Sequence, residues 1–381
     1  MTQTSRRHFD IAVIGAGMAG ASLAYELAGD AHVAILEMES HPGYHATGRS
    51  AAVFSEVYGP GPIRALTRRS RPFFENPPET FGDQPLLSQR GVLYVARADQ
   101  NESFERLTDR LRGAPVTAVS DAAAVTELVP LLRPNYAQAA LYEELASDID
   151  VHALHHGYLR GLRSRGGELL VDAAVNAARR EDGVWELTTR RSTVCAPIVV
   201  NAAGAWADEL ASIFGAEPVG LVPKRRTALT VAAPSGLDPA NWAAVVDVDE
   251  QFYLKPDAGR LLISPADETP SAPCDAQPEE IDVAICIDRI QKAFALDVHR
   301  VEHCWAGLRS FVADGVPVCG YDETVDGLFW LAGHGGYGIQ SAPGLSQLAA
   351  GMIKSTTSGP QLTDFGFDID EISPKRLLRT P

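Results

Sequence analysis

Apolar positions along the chain follow two rhythms. Short unbroken runs rich in β-branched residues occur at 9–14, 32–37, 197–202 and 328–332. Runs of this kind predict strands of a parallel sheet covered on both faces. From 224 to 264 the pattern changes to alternation with period two, broken by turn signals at 234–236 and 257–259, which predicts antiparallel sheet. Helical periodicity marks residues 18–28, 63–74, 102–111, 121–128, 151–165, 207–214, 279–294 and 339–353. Further short strands are expected at 91–96, 168–171, 184–189, 192–195 and 303–307. Residues 265–278 read as a polar loop, and the tail from 364 reads as polar and loosely held. The expected fold class is α/β. One parallel sheet is visited three times, and antiparallel segments are inserted between the visits.

The first visit carries a phosphate-binding pattern. In FDIAVIGAGMAGASLAYEL, Gly15, Gly17 and Gly20 stand in G-x-G-x-x-G spacing between a buried strand and a helix. Gly15 permits the tight turn, Gly17 lets a pyrophosphate approach the backbone, and Gly20 lets helix and strand pack closely. The helix N-terminus, from Met18, offers free N–H groups and a positive dipole end. Glu37 closes the next strand, where an acid accepts ribose hydroxyls. Two more small-residue turns follow buried strands, Ala202-Ala203-Gly204 and Gly335-Gly336-Tyr337-Gly338. A simple nicotinamide site needs one such turn. Three predict a longer ligand laid along the strand ends, which points to FAD, with the last helix N-terminus placed to stabilise negative charge on a reduced flavin.

Composition narrows the rest. The 381-residue chain is 45% hydrophobic and 22% charged, ordinary for a globular protein large enough for two domains. Its formal charge of −16 argues against nucleic-acid or anionic-membrane binding. Five scattered cysteines, with no CxxC pair, predict neither a zinc site nor a disulfide framework and fit a reducing, cytoplasmic setting. No metal site and no integral membrane segment are expected. Ser5-Arg6-Arg7-His8-Phe9 is similar to a twin-arginine signal, but the apolar segment after it carries Asp10 and is itself the expected cofactor strand.

The motifs VIGAGMAGAS, PGYHATGRSAA, LVPLLRP, DIDVHALHHGYLRG, VVNAAGAW, LVPKRRTAL, FYLKPDAG, WAGLRSFVADG and GGYGIQ run nearly end to end. With them the chain resembles the FAD-dependent D-amino-acid oxidase/glycine oxidase class, and within that class the bacterial D-arginine dehydrogenases. The resemblance implies a Rossmann-type FAD-binding domain (1–90, 150–222 and 315–381) interleaved with an antiparallel-sheet substrate domain (91–149 and 223–314). It implies non-covalent FAD and a small amino-acid substrate. It further implies that the α-carbon hydride passes to flavin N5, giving an imino acid and then a 2-oxo acid plus ammonia. Reoxidation falls to a quinone-type carrier or O2. A D-amino acid with an apolar or mixed side chain is the first expectation. The alternatives are a secondary amine such as sarcosine, a 2-hydroxy acid, or a non-catalytic flavin-binding protein.

By the same resemblance, Ala19, Glu37 and Met38 bind the ADP portion. Ala46, Thr47, Gly48, Arg49, Ser50, Ala51, Ala52 and Val53 wrap pyrophosphate, ribityl and flavin. Val175 meets adenine through its backbone, and Ala203, Gly204 and Trp206 flank the cofactor. Gly335, Gly336, Tyr337, Gly338, Ile339 and Gln340 line the flavin's pyrimidine side. Arg309 and Arg226, with Tyr58 and Tyr253, form the substrate pocket, with Gly336, Val53, Val92 and Gln340 beside them. A substrate carboxylate is best held by a bidentate guanidinium, and Arg309 in LRSF is the first choice for it. Period two through KRRTAL sends Arg225 and Arg226 to opposite faces, so only one faces inward. His334 is a candidate contact for flavin or substrate amine, with a purely structural histidine as the plainer reading; His45 is a remote candidate for covalent attachment. Two positions depart from the D-arginine dehydrogenases. Val92 stands where they carry the carboxylate for the substrate guanidinium, and Val53 replaces a histidine. Both make the pocket more apolar and argue against arginine or lysine as best substrate. Glu56, on the loop of Tyr58, either restores recognition of a cation or points to solvent.

Overall fold

The computed structural model describes residues 5–354 and 365–377. Its centre is a six-stranded sheet in the order Glu168–Leu170, Val33–Leu36, Ile11–Ile14, Ile198–Asn201, Leu328–Ala332, Val318–Tyr321. The first five are parallel, and Val318–Tyr321 runs antiparallel at the edge. Ile11–Ile14, Val33–Leu36 and Leu328–Ala332 are buried throughout. That is why they read as unbroken apolar runs rather than alternating ones. The strand order reverses beside Ile11–Ile14, and the crevice at the carboxyl ends of the strands opens there.

Helices Met18–Leu27, Val151–Ser164 and Ala342–Lys354 cover one face, with Leu23, Leu27, Tyr158 and Leu348 in one apolar core. The other face packs on helix Ala207–Phe214 and a four-stranded sheet whose edge is Ser5–His8. Asp150 accepts from the amide of Ala153 at 2.7 Å and caps Val151–Ser164.

The second body is a nine-stranded sheet. Its long strands Val222–Ala232 and His303–Phe311 pair antiparallel, followed by Arg260–Ser264 and Tyr253–Asp257. The sheet is not purely antiparallel, because Ala244–Asp247 lies parallel to Val92–Ala96. Alternation along one strand does not reveal the direction of its neighbour. Helix Glu280–Ala293 covers one face, and the opposite face looks toward the crevice of the parallel sheet. A three-stranded sheet of Val53–Phe54, Ser147–Ile149 and Leu87–Gln89 lies at the border.

Two expectations are corrected. The last helix begins at Ala342, not 339: residues 336–341 remain in turns, and the amide of Ser341 reaches back to Tyr337. The tail is not loosely held within 365–377. Ile372 is fully buried, its carbonyl accepts from the amide of Cys319 at 2.8 Å, and Arg376 binds Asp314. Residue 364 lies outside the described residues.

Candidate active site

A cavity of about 370 Å³ runs across the carboxyl ends of the parallel strands, from Gly15 and Glu37 at one end to Gly338 and Arg309 at the other. Its glycines are forced by close approach. Gly15 has φ +105°, and a Cβ there would stand 2.4 Å from the carbonyl oxygen of Ala202; one at Gly20 would stand 1.9 Å from the oxygen of Gly15. Gly17 and Ala19 line the cavity, and Thr47 Oγ accepts from the amide of Met18 at 2.9 Å. Glu37 is buried and accepts from the amides of Ala16 at 2.7 Å and Glu39 at 3.0 Å. These amides fix its carboxylate at the cavity edge, beside Met38 and Val175.

Ala46, Thr47, Ser50 and Ala51 follow along the wall, with Ala203, Gly204 and Trp206 facing them. His45 sits between Glu39, at 2.9 Å, and the Trp206 ring, 4.6 Å away. The Arg49 guanidinium is committed to the carbonyls of Ala276 and Ala306 and to Asp275, so it ties the loop to the large sheet. Gly335, Gly336, Gly338 and Ile339 close the far end. Gly20 and Gly48 act behind the wall: a Cβ at Gly48 would stand 2.7 Å from the oxygen of Gly43. Tyr337 packs on Tyr58 with ring centroids 4.9 Å apart. The length of the cavity, its glycine cradle at a helix N-terminus and the fixed acid at the ribose position fit FAD.

A second cavity of about 110 Å³ shares Ser50, Ala51, Arg226, Tyr253, Arg309 and Gly336 with the first. Val53, Val92, Ala244 and Val246 make an apolar wall, with Ala52 beside Val53. Tyr58, Tyr253 and Gln340 are among its polar groups. Arg309 is half-buried at the junction of the two cavities, near enough to Tyr58 for the two to interact electrostatically; it forms no salt bridge among the described residues. Burial acts against its charge, but the oxygens of Tyr58, Tyr253, Glu250 and Tyr337 outweigh it and hold its pKa above the ordinary value. Burial raises Tyr58, which keeps that hydroxyl a donor. Arg226 is less free. Its Nε donates to the carbonyl of Asp267 at 2.8 Å, and Nη2 pairs with Glu268 at 3.1 Å. Arg225 points to the other face, toward Glu279 and Asp282, as period two requires. His334 lines the cofactor cavity, and burial pulls its imidazole down to about 4, so it is neutral there.

Glu56 takes neither expected position. It is partly buried and paired with Arg71. Three charged groups were missed. Glu250 lines the second cavity at φ +53°, on a turn that reads in sequence as a solvated acidic loop. Lys255 lines it too, bound to Asp148 at 2.9 Å, with Arg90 on the other oxygen at 2.7 Å. Glu143 lies buried just behind the wall. Its signal was available only through pairing, since it stands directly opposite Val92. Among the described residues all five cysteines are free and no cluster suited to a metal exists. No helix among them is long and apolar enough to cross a membrane.

The sequence profile described as DAO, FAD dependent oxidoreductase, matches residues 10–352. Sarcosine oxidase subunit beta of Rhizobium meliloti (strain 1021) is 29% identical over 96% of this chain and 90% of its own. Glycine oxidase of Geobacillus kaustophilus (strain HTA426) is 26% identical over 94% of this chain and 96% of its own. The crystal structure of glycine oxidase from Geobacillus kaustophilus superposes with a TM-score of 0.82 at 24% identity, covering 94% of this chain and 98% of that one, so the fold is the same.

Proposed function

The chain belongs to the DAO family of FAD dependent oxidoreductases, and from that premise we propose that it oxidises the Cα–N bond of an amino acid, by preference a D-amino acid with an apolar or mixed side chain. The observation that carries the reading is Arg309. A guanidinium without a carboxylate partner among the described residues stands where the cofactor cavity meets a small apolar-walled pocket, ringed by Tyr58 and Tyr253. Such a group is costly to leave unpaired and is suited to a bidentate carboxylate ligand.

When bound, FAD would supply the acceptor for the substrate hydride, with a quinone-type carrier or O2 as the final oxidant. The protein's part is binding and orientation. Arg309 holds the substrate carboxylate, with Tyr58 and Tyr253 donating beside it. The amine is set between the pocket and His334, which is neutral and so does not repel an ammonium before it loses its proton. Loss of the α-hydrogen as hydride and of one amine proton leaves an imino acid, which water converts to a 2-oxo acid and ammonia. Val53, Val92, Ala244 and Val246 receive the side-chain stem, and Glu250 offers a carboxylate on the same pocket. This combination supports a mixed side chain and keeps the likeness to D-arginine dehydrogenases in play despite Val92. The division into an FAD-binding domain (1–90, 150–222, 315–381) and a substrate domain (91–149, 223–314), and the cytoplasmic setting, belong to the same proposal.

A second reading is a secondary amine such as sarcosine, favoured by the relative named sarcosine oxidase subunit beta. Anaerobic mixing of the holoprotein with D- and L-amino acids, sarcosine and 2-hydroxy acids separates the readings by which compound bleaches the flavin. Bleaching by no α-amino acid would overturn the first.

A further inference from the structure

Glu143 ends the strand Ala139–Glu143 and faces Val92 in antiparallel register, so the two side chains leave the sheet on one face. Val92 lines the pocket, and Glu143, 1% exposed, lies behind it. Its carboxylate accepts from Ser55 Oγ at 2.7 Å and from the amide of Glu56 at 3.0 Å, and the Tyr94 hydroxyl lies at 3.5 Å. Ser55 and Tyr94 both line the pocket. The Ser55 amide in turn donates to Gln340 Oε1 at 3.1 Å, while Gln340 Nε2 is buried without a partner.

Among the described residues no cation neutralises this carboxylate. It is in no salt bridge among the described residues, and Arg71, on the helix beyond, is paired with Glu56 and Glu75. From the strand Val92–Ala96 the titratable neighbour is Tyr94; from the segment 53–58 it is Glu56, with Tyr58 further along. Helix Asn101–Arg110 packs on this cluster through Phe104 and Leu107, and the strand Thr117–Val119 brings no titratable group. Burial lifts the Glu143 carboxyl to about 7, although the bonds from Ser55 and the Glu56 amide act the other way.

We propose that Glu143 is a positioning residue for substrate capture. When ionised it holds Ser55, Tyr94 and the Glu56 amide, and so fixes the pocket wall from Val53 to Tyr58. When protonated it gives up acceptor capacity and the wall loosens. The inference rests on the oxidation of an amino acid proposed above.

Glu143→Gln keeps the shape and removes the ionisation. With a substrate whose ammonium titrates well above neutrality, wild-type kcat/KM is expected to rise through an inflection near neutral pH. In Glu143→Gln that inflection disappears, KM rises about tenfold, the scale of one weakened charge-assisted bond, and kcat and FAD content change little. Ser55→Ala retains the ionisation but breaks the relay, so it raises KM while the inflection persists. An unaltered pH profile and KM in Glu143→Gln would overturn the inference. So would loss of FAD with an unchanged profile, which is the mark of a purely structural group. Two readouts need no turnover. Infrared difference spectra of the substrate-free holoprotein should show a carboxyl band titrating near neutrality that Glu143→Gln lacks. Binding of pyruvate, followed by flavin absorbance, should lose its pH dependence in the variant. If no amino acid bleaches the wild-type flavin, the functional reading fails, and these two spectra still decide the role of Glu143.

Discussion

Gly336 lies against the guanidinium of Arg309: a Cβ built at 336 would stand 2.8 Å from Nη1 and 3.1 Å from Cζ. The obstruction is the end of a flexible side chain, so Gly336→Ala displaces Arg309 rather than the backbone. Retained folding and FAD content are expected, with KM raised by an order of magnitude or more, since a bidentate pair tolerates little misplacement. Steady-state kinetics beside a thermal melt checks this. Unchanged KM would mean that Arg309 does not hold the substrate carboxylate.

Arg309→Ala removes the clamp outright. A lost charge-assisted pair of about 3 kcal/mol corresponds to a drop of roughly a hundredfold in kcat/KM, with flavin still bound. Arg309→Lys keeps the charge but not the fork, so it restores only part of that loss. Equal activity in all three proteins would move the clamp to Arg226. That residue is the weaker candidate because Glu268 already occupies it.

The cofactor end of the site was legible because its demands are local. Gly15, Gly17, Gly20 and Glu37 follow one another within one strand–turn–helix–strand unit; Gly15 and Gly20 are required by backbone approach, and Glu37 is held by the amides of Ala16 and Glu39. The second cavity, the proposed substrate end, was only half legible. Arg309 and Tyr253 came through resemblance, and the opposite facing of Arg225 and Arg226 came from strand parity. Glu143 and Lys255 escaped because their burial is set by pairing between distant strands, whereas Glu250 stays exposed on its turn and only its place beside the second cavity was not legible. A single strand-end acid such as Glu143 reads as solvated until Val92 is seen across from it. The helix start at Ala342 was missed for a related reason: residues 339–341 have helical periodicity but are held in turns.

Gly15→Ala tests the cofactor cradle. The new Cβ would meet backbone, the Ala202 oxygen at 2.4 Å, at a φ of +105° that side chains rarely adopt. Neither strand can yield without breaking the sheet, so the flavin-to-protein absorbance ratio of the purified variant should fall close to zero. Full FAD occupancy would show that the turn rearranges freely.

Val92→Glu places a second carboxylate directly opposite Glu143. Substrate preference should shift toward cationic side chains, because the new acid lies on the pocket wall. Like charges on paired positions repel, so the variant should also lose thermal stability as pH rises above neutrality, beyond what wild type loses. An unaltered substrate profile would place residue 92 out of reach of the substrate.

Glu143 itself predicts how stability depends on pH. Its carboxyl is raised from 4.5 to about 7 in the folded protein, chiefly by burial. Between those values the folded state holds a proton that the unfolded state has released, so stability falls as pH rises through this window and levels off above it. A displacement of that size amounts to about 3 kcal/mol. Glu143→Gln has no proton to lose, so its melting temperature should decline less between acidic and mildly alkaline pH. Parallel melting curves for the two proteins across the window would mean that Glu143 titrates at its ordinary value, with solvent reaching the carboxylate behind Val92.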